Sequence, residues 1–201
     1  MGSLFNWIYQ NWVEVAAASI SIIYVILSVK EMIWLWFVGF LSAFLYAWVY
    51  AKSGFYAGMA LQAYYAVISI YGWIHWSKNS RHPDSETDKK LPISHANLKK
   101  IIILIFVWMV LWALIGVFLD HVTDSVIPYW DAFAASGGIV ATWMLARKIL
   151  EQWIFWFVID SVSIGLYVWQ GLYATSVLCI VYTIMAVFGY LRWRKKWLER
   201  A

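Results

Sequence analysis

The chain has 201 residues, 64% of them hydrophobic and 20% aromatic, with only 13% charged, against about 25% in a soluble domain. So little polar surface cannot cover a water-soluble core, and the net charge of +4 is too dispersed to form a nucleic-acid stripe. The single Cys179 excludes an internal disulfide and a cysteine metal cluster.

Taken in chain order, Met1 to Asn11 has no basic n-region, so no cleaved signal peptide is expected. Continuous apolar runs then predict helices over 12–29, 32–51 and 54–76. Each is close to the ~20 residues that span a hydrocarbon core. The segment 77–97 is polar and mixed in charge and reads as a solvated loop. Four more spans follow at 98–119, 130–150, 151–170 and 172–193. The apolar runs do not alternate, which argues for helices over a membrane barrel.

Of the Lys and Arg residues, only Lys52 falls on the side opposite the rest. By the positive-inside rule the 77–97 loop and the C-terminus are cytoplasmic. The basic residues, Arg147 and Lys148 among them, read as topology determinants beside lipid headgroups.

Sliding the sequence by 117 residues aligns Glu14 with Asp131, Lys30 with Arg147, Trp36 with Trp153, Tyr65 with Tyr182, Gly72 with Gly189 and Trp76 with Trp193. No gap is needed. The expected organisation is a first three-helix repeat (1–76), the cytoplasmic loop (77–97), a linker helix with its outer loop (98–129) and a second three-helix repeat with a basic tail (130–201). The linker helix restores the orientation of the second copy. This is an all-α membrane protein of seven transmembrane helices in a 3+1+3 arrangement of parallel repeats, an architecture that places substrate between the repeats.

Asp160 stands near the centre of the sixth span, where a carboxylate costs at least ~2.5 kcal/mol on insertion scales and should face the bundle interior. Trp153, Trp156, Ser163 and Tyr167 lie on its helical face. This face offers a charge, hydroxyls and two indoles, and indoles attract flat cations. The competing reading is that Asp160 only fastens the bundle. The third span has a stripe of Gln62, Tyr65, Ser69, Gly72 and Trp76, in which Gln62 serves either as interhelical glue or as a ligand. Trp36, aligned with Trp153, is a candidate opposing platform. Glu14 and Asp131 read as helix-start capping groups or as an entry gate. The histidines show no metal-ligand spacing, so no metal or other cofactor is expected. Neither a P-loop nor a nucleophile–base pair is visible.

Ile70-Tyr71-Gly72-Trp73-Ile74-His75-Trp76 resembles the end of the third helix in the PnuC-type vitamin transporters. So do Pro128-Tyr129-Trp130-Asp131, Arg147-Lys148 with Trp153 and Trp156, and Gln170-Gly171-Leu172-Tyr173. The order and spacing hold over nearly the whole chain. The resemblance implies a fold similar to the SWEET sugar carriers. It implies facilitated diffusion of nicotinamide riboside across a bacterial inner membrane, with cytoplasmic phosphorylation trapping the substrate. Similar family members carry thiamine, and others riboflavin. In one departure, nicotinamide riboside carriers tend to have Asn where this chain has Asp160, which raises thiamine as the alternative. Expected partners are the bilayer, a small-molecule vitamin and, functionally, a cytoplasmic kinase. Self-association into a homo-oligomer stays open. A seven-helix retinal receptor would need a buried Lys that the seventh span lacks, and an intramembrane enzyme would need the missing nucleophile–base pair. An ion channel would show conductance in place of saturable uptake.

Overall fold

A computed structural model describes residues 12–53, 56–78, 91–123, 127–169, 171 and 173–200. It is all-helical. Among the described residues the helices are α1 (Trp12–Val29), α2 (Trp34–Ser53), α3 (Tyr56–Lys78), α4 (Leu98–Val122), α5 (Pro128–Ala146), α6 (Gln152–Trp169) and α7 (Tyr173–Leu198). Leu98–Val122, Gln152–Trp169 and Thr175–Leu198 are long and apolar enough to cross a membrane, and Ser19–Val29 and Trp34–Trp48 are shorter apolar stretches. Large side chains such as Phe44, Phe106, Leu114 and Phe188 stand exposed around the bundle. Such exposure is expected where the solvent is lipid.

The packing has a regular order. Helix α2 lies along α3 and α6 along α7. Helix α1 touches α2 as α5 touches α6. Helix α1 meets α7, and α5 meets α3. Helix α4 packs on α5, with Trp108 wedged against Gly137 and Phe133. Its start is capped by Asn97, whose side-chain oxygen accepts from the Lys100 N–H at 2.9 Å. Pro128 occupies the first turn of α5, where a missing N–H costs nothing.

Two clusters matched at an offset of 117 residues hold one end of the bundle. In the first, the Trp36 indole fills the space a Cβ on Gly72 would take, and meets Trp76 edge-on at 5.4 Å and 89°. In the second, Trp153 fills the corresponding space over Gly189 and meets Trp193 at 5.6 Å and 90°. All four indoles are buried.

Helices α1 and α5 also end alike. At the end of α1, Glu31 N–H donates to Ser28 O and Met32 N–H to Leu27 O. At the end of α5, Lys148 N–H donates to Leu145 O and Ile149 N–H to Met144 O. This is a Schellman termination, which usually places glycine in the left-handed position. Here the positions are Glu31 (φ 56°) and Lys148 (φ 49°). A non-glycine residue there costs on the order of 1 kcal/mol, so something about these two side chains must offset it.

Two sequence expectations need correction. The fifth span, read as 130–150, ends at Ala146, because the left-handed Lys148 turns the chain before α6. The 77–97 segment is not solvated throughout. Residues 79–90 lie outside the described residues, but Ile93 and Ala96 are buried. Ser94 N–H donates to Lys148 O and Leu150 N–H to Ser94 O, both at 2.9 Å. This parallel bridge lays 91–97 along the 147–151 turn.

Candidate functional site

A cavity of about 320 Å³ lies between α1, α2 and α3 on one side and α5, α6 and α7 on the other. Its wall is drawn largely from aligned positions: Val25 and Thr142, Ser28 and Leu145, Gly39 and Trp156, Ala43 and Asp160, Tyr65 and Tyr182, Ser69 and Ala186. Ser21, Tyr24, Ser42, Tyr46, Gln62 and Trp153 complete its polar and aromatic lining. The hydroxyl-rich stripe of α1 follows from helical spacing, since Ser21, Tyr24 and Ser28 share one face. Gly39, Ser42, Ala43 and Tyr46 form a similar stripe on α2, three of them small.

Of the residues singled out in the sequence, Gln62, Tyr65, Ser69, Trp153, Trp156 and Asp160 come together on this wall. Trp36 and Ser163 are not on it. The Trp36 ring packs on Gly72 and Trp76 at the bundle end. Ser163 is buried and donates its hydroxyl to Ile159 O at 2.8 Å, one turn back on its own helix. Asp131 is exposed in the first turn of α5, and the Glu14 side chain lies outside the described residues. Tyr24, Tyr46, Ser42 and Thr142 were not anticipated. Tyr65 and Tyr182, aligned in the sequence, both line the cavity.

Asp160 is the one carboxylate on the wall. It is 8% exposed, and among the described residues no lysine, arginine or histidine pairs with it. Burying a carboxylate in its charged form without a partner is costly. Trp156, one turn before it, offers an indole face to the same space. Across the cavity the Tyr65 hydroxyl approaches Gly138 so closely that a Cβ there would lie 2.8 Å from it. The adjacent Tyr64 donates to Ile139 O at 2.7 Å, tying α3 to α5.

Beneath the cavity, toward the end where α1 and α5 terminate, lies a charge cluster that the sequence did not reveal. Lys148 Nζ donates to Glu31 Oε2 at 2.8 Å, and Lys196 Nζ to Glu31 Oε1 at 2.6 Å. Lys148 also sits 4.5 Å from the centre of the Trp76 ring. Lys148 is therefore buried, not a headgroup-facing topology residue. Burial pushes the Glu31 carboxyl up, but the Lys148 and Lys196 ammoniums outweigh it and hold the group below the ordinary carboxylate range. Glu151, on the same turn as Lys148, pairs with His95 and accepts from the Ala96 N–H at 3.0 Å.

Comparisons with known proteins agree with a carrier. The family model described as nicotinamide mononucleotide transporter matches residues 11–195. The nicotinamide riboside transporter PnuC of Escherichia coli is 25% identical, over 94% of this chain and 88% of that protein. The riboflavin/roseoflavin transporter RibM of Streptomyces davaonensis is 27% identical, over 94% of this chain and 85% of its own length. The crystal structure of a vitamin B3 transporter PnuC superimposes with a TM-score of 0.76, covering 100% of this chain and 88% of that one at 22% identity.

Proposed function

Since the chain belongs to the nicotinamide mononucleotide transporter family, we propose that it carries a small cationic aromatic vitamin, nicotinamide riboside first, by facilitated diffusion. The observation that carries this reading is Asp160, a buried carboxylate with no cationic partner among the described residues, beside the Trp156 and Trp153 indoles. A flat cation answers both features. Its charge compensates the carboxylate, and its ring stacks on indole at ~0.5–2 kcal/mol per contact. Riboflavin, the cargo in the name of one relative, has a neutral ring and would leave Asp160 uncompensated.

Thiamine is the second reading, and the same residue favours it. A carboxylate accepts well from an aminopyrimidine, whereas a carboxamide is served equally by an amide.

In this reading residues 1–76 and 130–201 are parallel three-helix repeats in a SWEET-like 3+1+3 arrangement, with helix α4 as the inverting linker. The matched contacts at an offset of 117 residues support it. The protein sits in a bacterial inner membrane with its C-terminus cytoplasmic, and a cytoplasmic kinase traps the cargo by phosphorylation. Purified protein should be melted with nicotinamide riboside, thiamine and riboflavin in turn. A rise in Tm with either cation and none with riboflavin is expected. Stabilisation by riboflavin alone would overturn the cationic reading.

A further inference from the structure

The charge cluster below the cavity is unusual in three ways that point together. First, its members come from separated parts of the chain: Glu31 from the α1–α2 turn, Lys148 from the α5–α6 turn and Lys196 from the last turns of α7. Nothing local requires them to meet. Second, Glu31 and Lys148 are aligned residues, each in the left-handed position of a Schellman end where glycine is ordinarily found. Their backbone strain is retained at both sites, and the side chains are what the two sites gain. Third, the side chains of Glu31 and Lys148 are 5% and 2% exposed. The pair is therefore sealed, and it sits one turn beyond Ser28 and Leu145, which line the cavity.

We propose that Glu31, Lys148 and Lys196 form an ionic latch that closes the cavity on the side where α1, α5 and α7 end, and that passage of cargo to that side requires this latch to break. The latch rests on the reading of the cavity as the cargo chamber, and the positive-inside reading makes its side the cytoplasm. Around it, the four indoles of Trp36, Trp76, Trp153 and Trp193 close the rest of the bundle end. The 91–97 segment fixes one half of the device. Its bridge to the 147–151 turn and the contacts of Glu151 with His95 and Ala96 hold Lys148 in place. Among the described residues the Glu31 turn carries no backbone bridge of this kind, although Leu91 lies beside it. Opening therefore moves Glu31, with α1 and α2, away from a braced Lys148.

The test needs no cargo, so it stands or falls independently of what the protein carries. In a chain lacking its native thiol (C179A), S28C places a cysteine on the cavity wall just behind the latch. A membrane-impermeant maleimide is applied to inside-out vesicles. With the latch intact, labelling should be slow. E31Q leaves two lysines facing each other, and labelling should accelerate at least about tenfold, since breaking a buried pair strands the remaining charge. K196M removes only the half-exposed partner and should accelerate it less. It also carries the test if E31Q does not fold. Unchanged labelling from both membrane faces in the folded variants would overturn the latch, whereas acceleration only from the opposite face would support the latch and reverse the membrane orientation. An equal rise at the buried Cys179 in a separate E31Q chain that keeps its native thiol and lacks S28C would also overturn the latch, because that would mean loosened packing in place of a gate.

Discussion

The two three-helix groups, α1–α3 and α5–α7, share several matched contacts and differ in their chemistry. Each stacks a tryptophan on a glycine and a second tryptophan edge-on, and each ends its first helix in the same left-handed turn. On the cavity wall, however, Gly39 stands where the second unit has Trp156, and Ala43 where it has Asp160. The first unit supplies space and hydroxyls; the second supplies charge and stacking surface. Packing constrains a position through its neighbours, and those neighbours are matched in both units. A cavity position is constrained mainly by what occupies the cavity, and on the proposed reading one asymmetric cargo needs only one carboxylate.

The strongest way to break this comparison is to move the charge. D160A should weaken binding of a cationic cargo by ~2–5 kcal/mol, as for other desolvated charge contacts, or about 30-fold or more in Kd. Adding A43D to D160A returns a carboxylate at the aligned position. Titration of the two variants by calorimetry should show partial recovery if the cavity is symmetric in shape and asymmetric only in chemistry. No recovery would mean that the two walls differ in geometry as well.

The glycines under the tryptophans sharpen the comparison. A Cβ on Gly72 would overlap Trp36, and one on Gly189 would come within 2.6 Å of Trp153. G72A and G189A should each cost ~1–3 kcal/mol through overpacking and lower Tm similarly. Their effects on binding should diverge. Trp153 lines the cavity and Trp36 does not, so G189A should also raise Kd while G72A leaves it near the parent value. Equal effects on Kd would place Trp36 at the cargo after all.

Acidification probes the junction between the units. The Glu31 carboxyl is held below its ordinary range by Lys148 and Lys196 against the upward push of burial. A depressed carboxyl binds fewer protons folded than unfolded, so its stabilisation is present above the usual carboxylate value and is lost as pH falls through the lowered one. Tm should decline on acidification more steeply in the parent than in E31Q. Parallel declines would show that the pair contributes nothing to stability.

Much of this was legible in the sequence. Long apolar runs fix helices because lipid leaves the backbone no other partner, and all seven helices fall close to the expected spans. Asp160 was legible for a related reason: a lone carboxylate amid apolar residues is conspicuous. Glu31 and Lys148 were not. Between helices a charged residue is ordinary, and only the folded chain shows that these two are buried against each other. Trp36 lies off the cavity wall although Trp153 is on it, because alignment equates positions, whereas exposure to the cavity depends on what lies opposite.

The smallest expected effect is at Ser163, and it separates sequence position from chemistry. Ser163 shares the helical face of Asp160, and by spacing alone it belongs beside the cargo. Its Oγ, however, donates to Ile159 O at 2.8 Å, a local bond that a serine in an apolar helix makes readily. It is also absent from the cavity wall, whereas Tyr46, the aligned residue on α2, lies on it. S163A therefore removes one backbone bond whose acceptor already serves the helix, and Kd should stay within about twofold of the parent, near the ±0.5 kcal/mol typical of uninvolved sites. Y46F deletes a hydroxyl that does face the cavity and should weaken binding more. If S163A proves the costlier change, the cavity wall reaches one turn further along α6, and Ser163 returns to the site with Asp160.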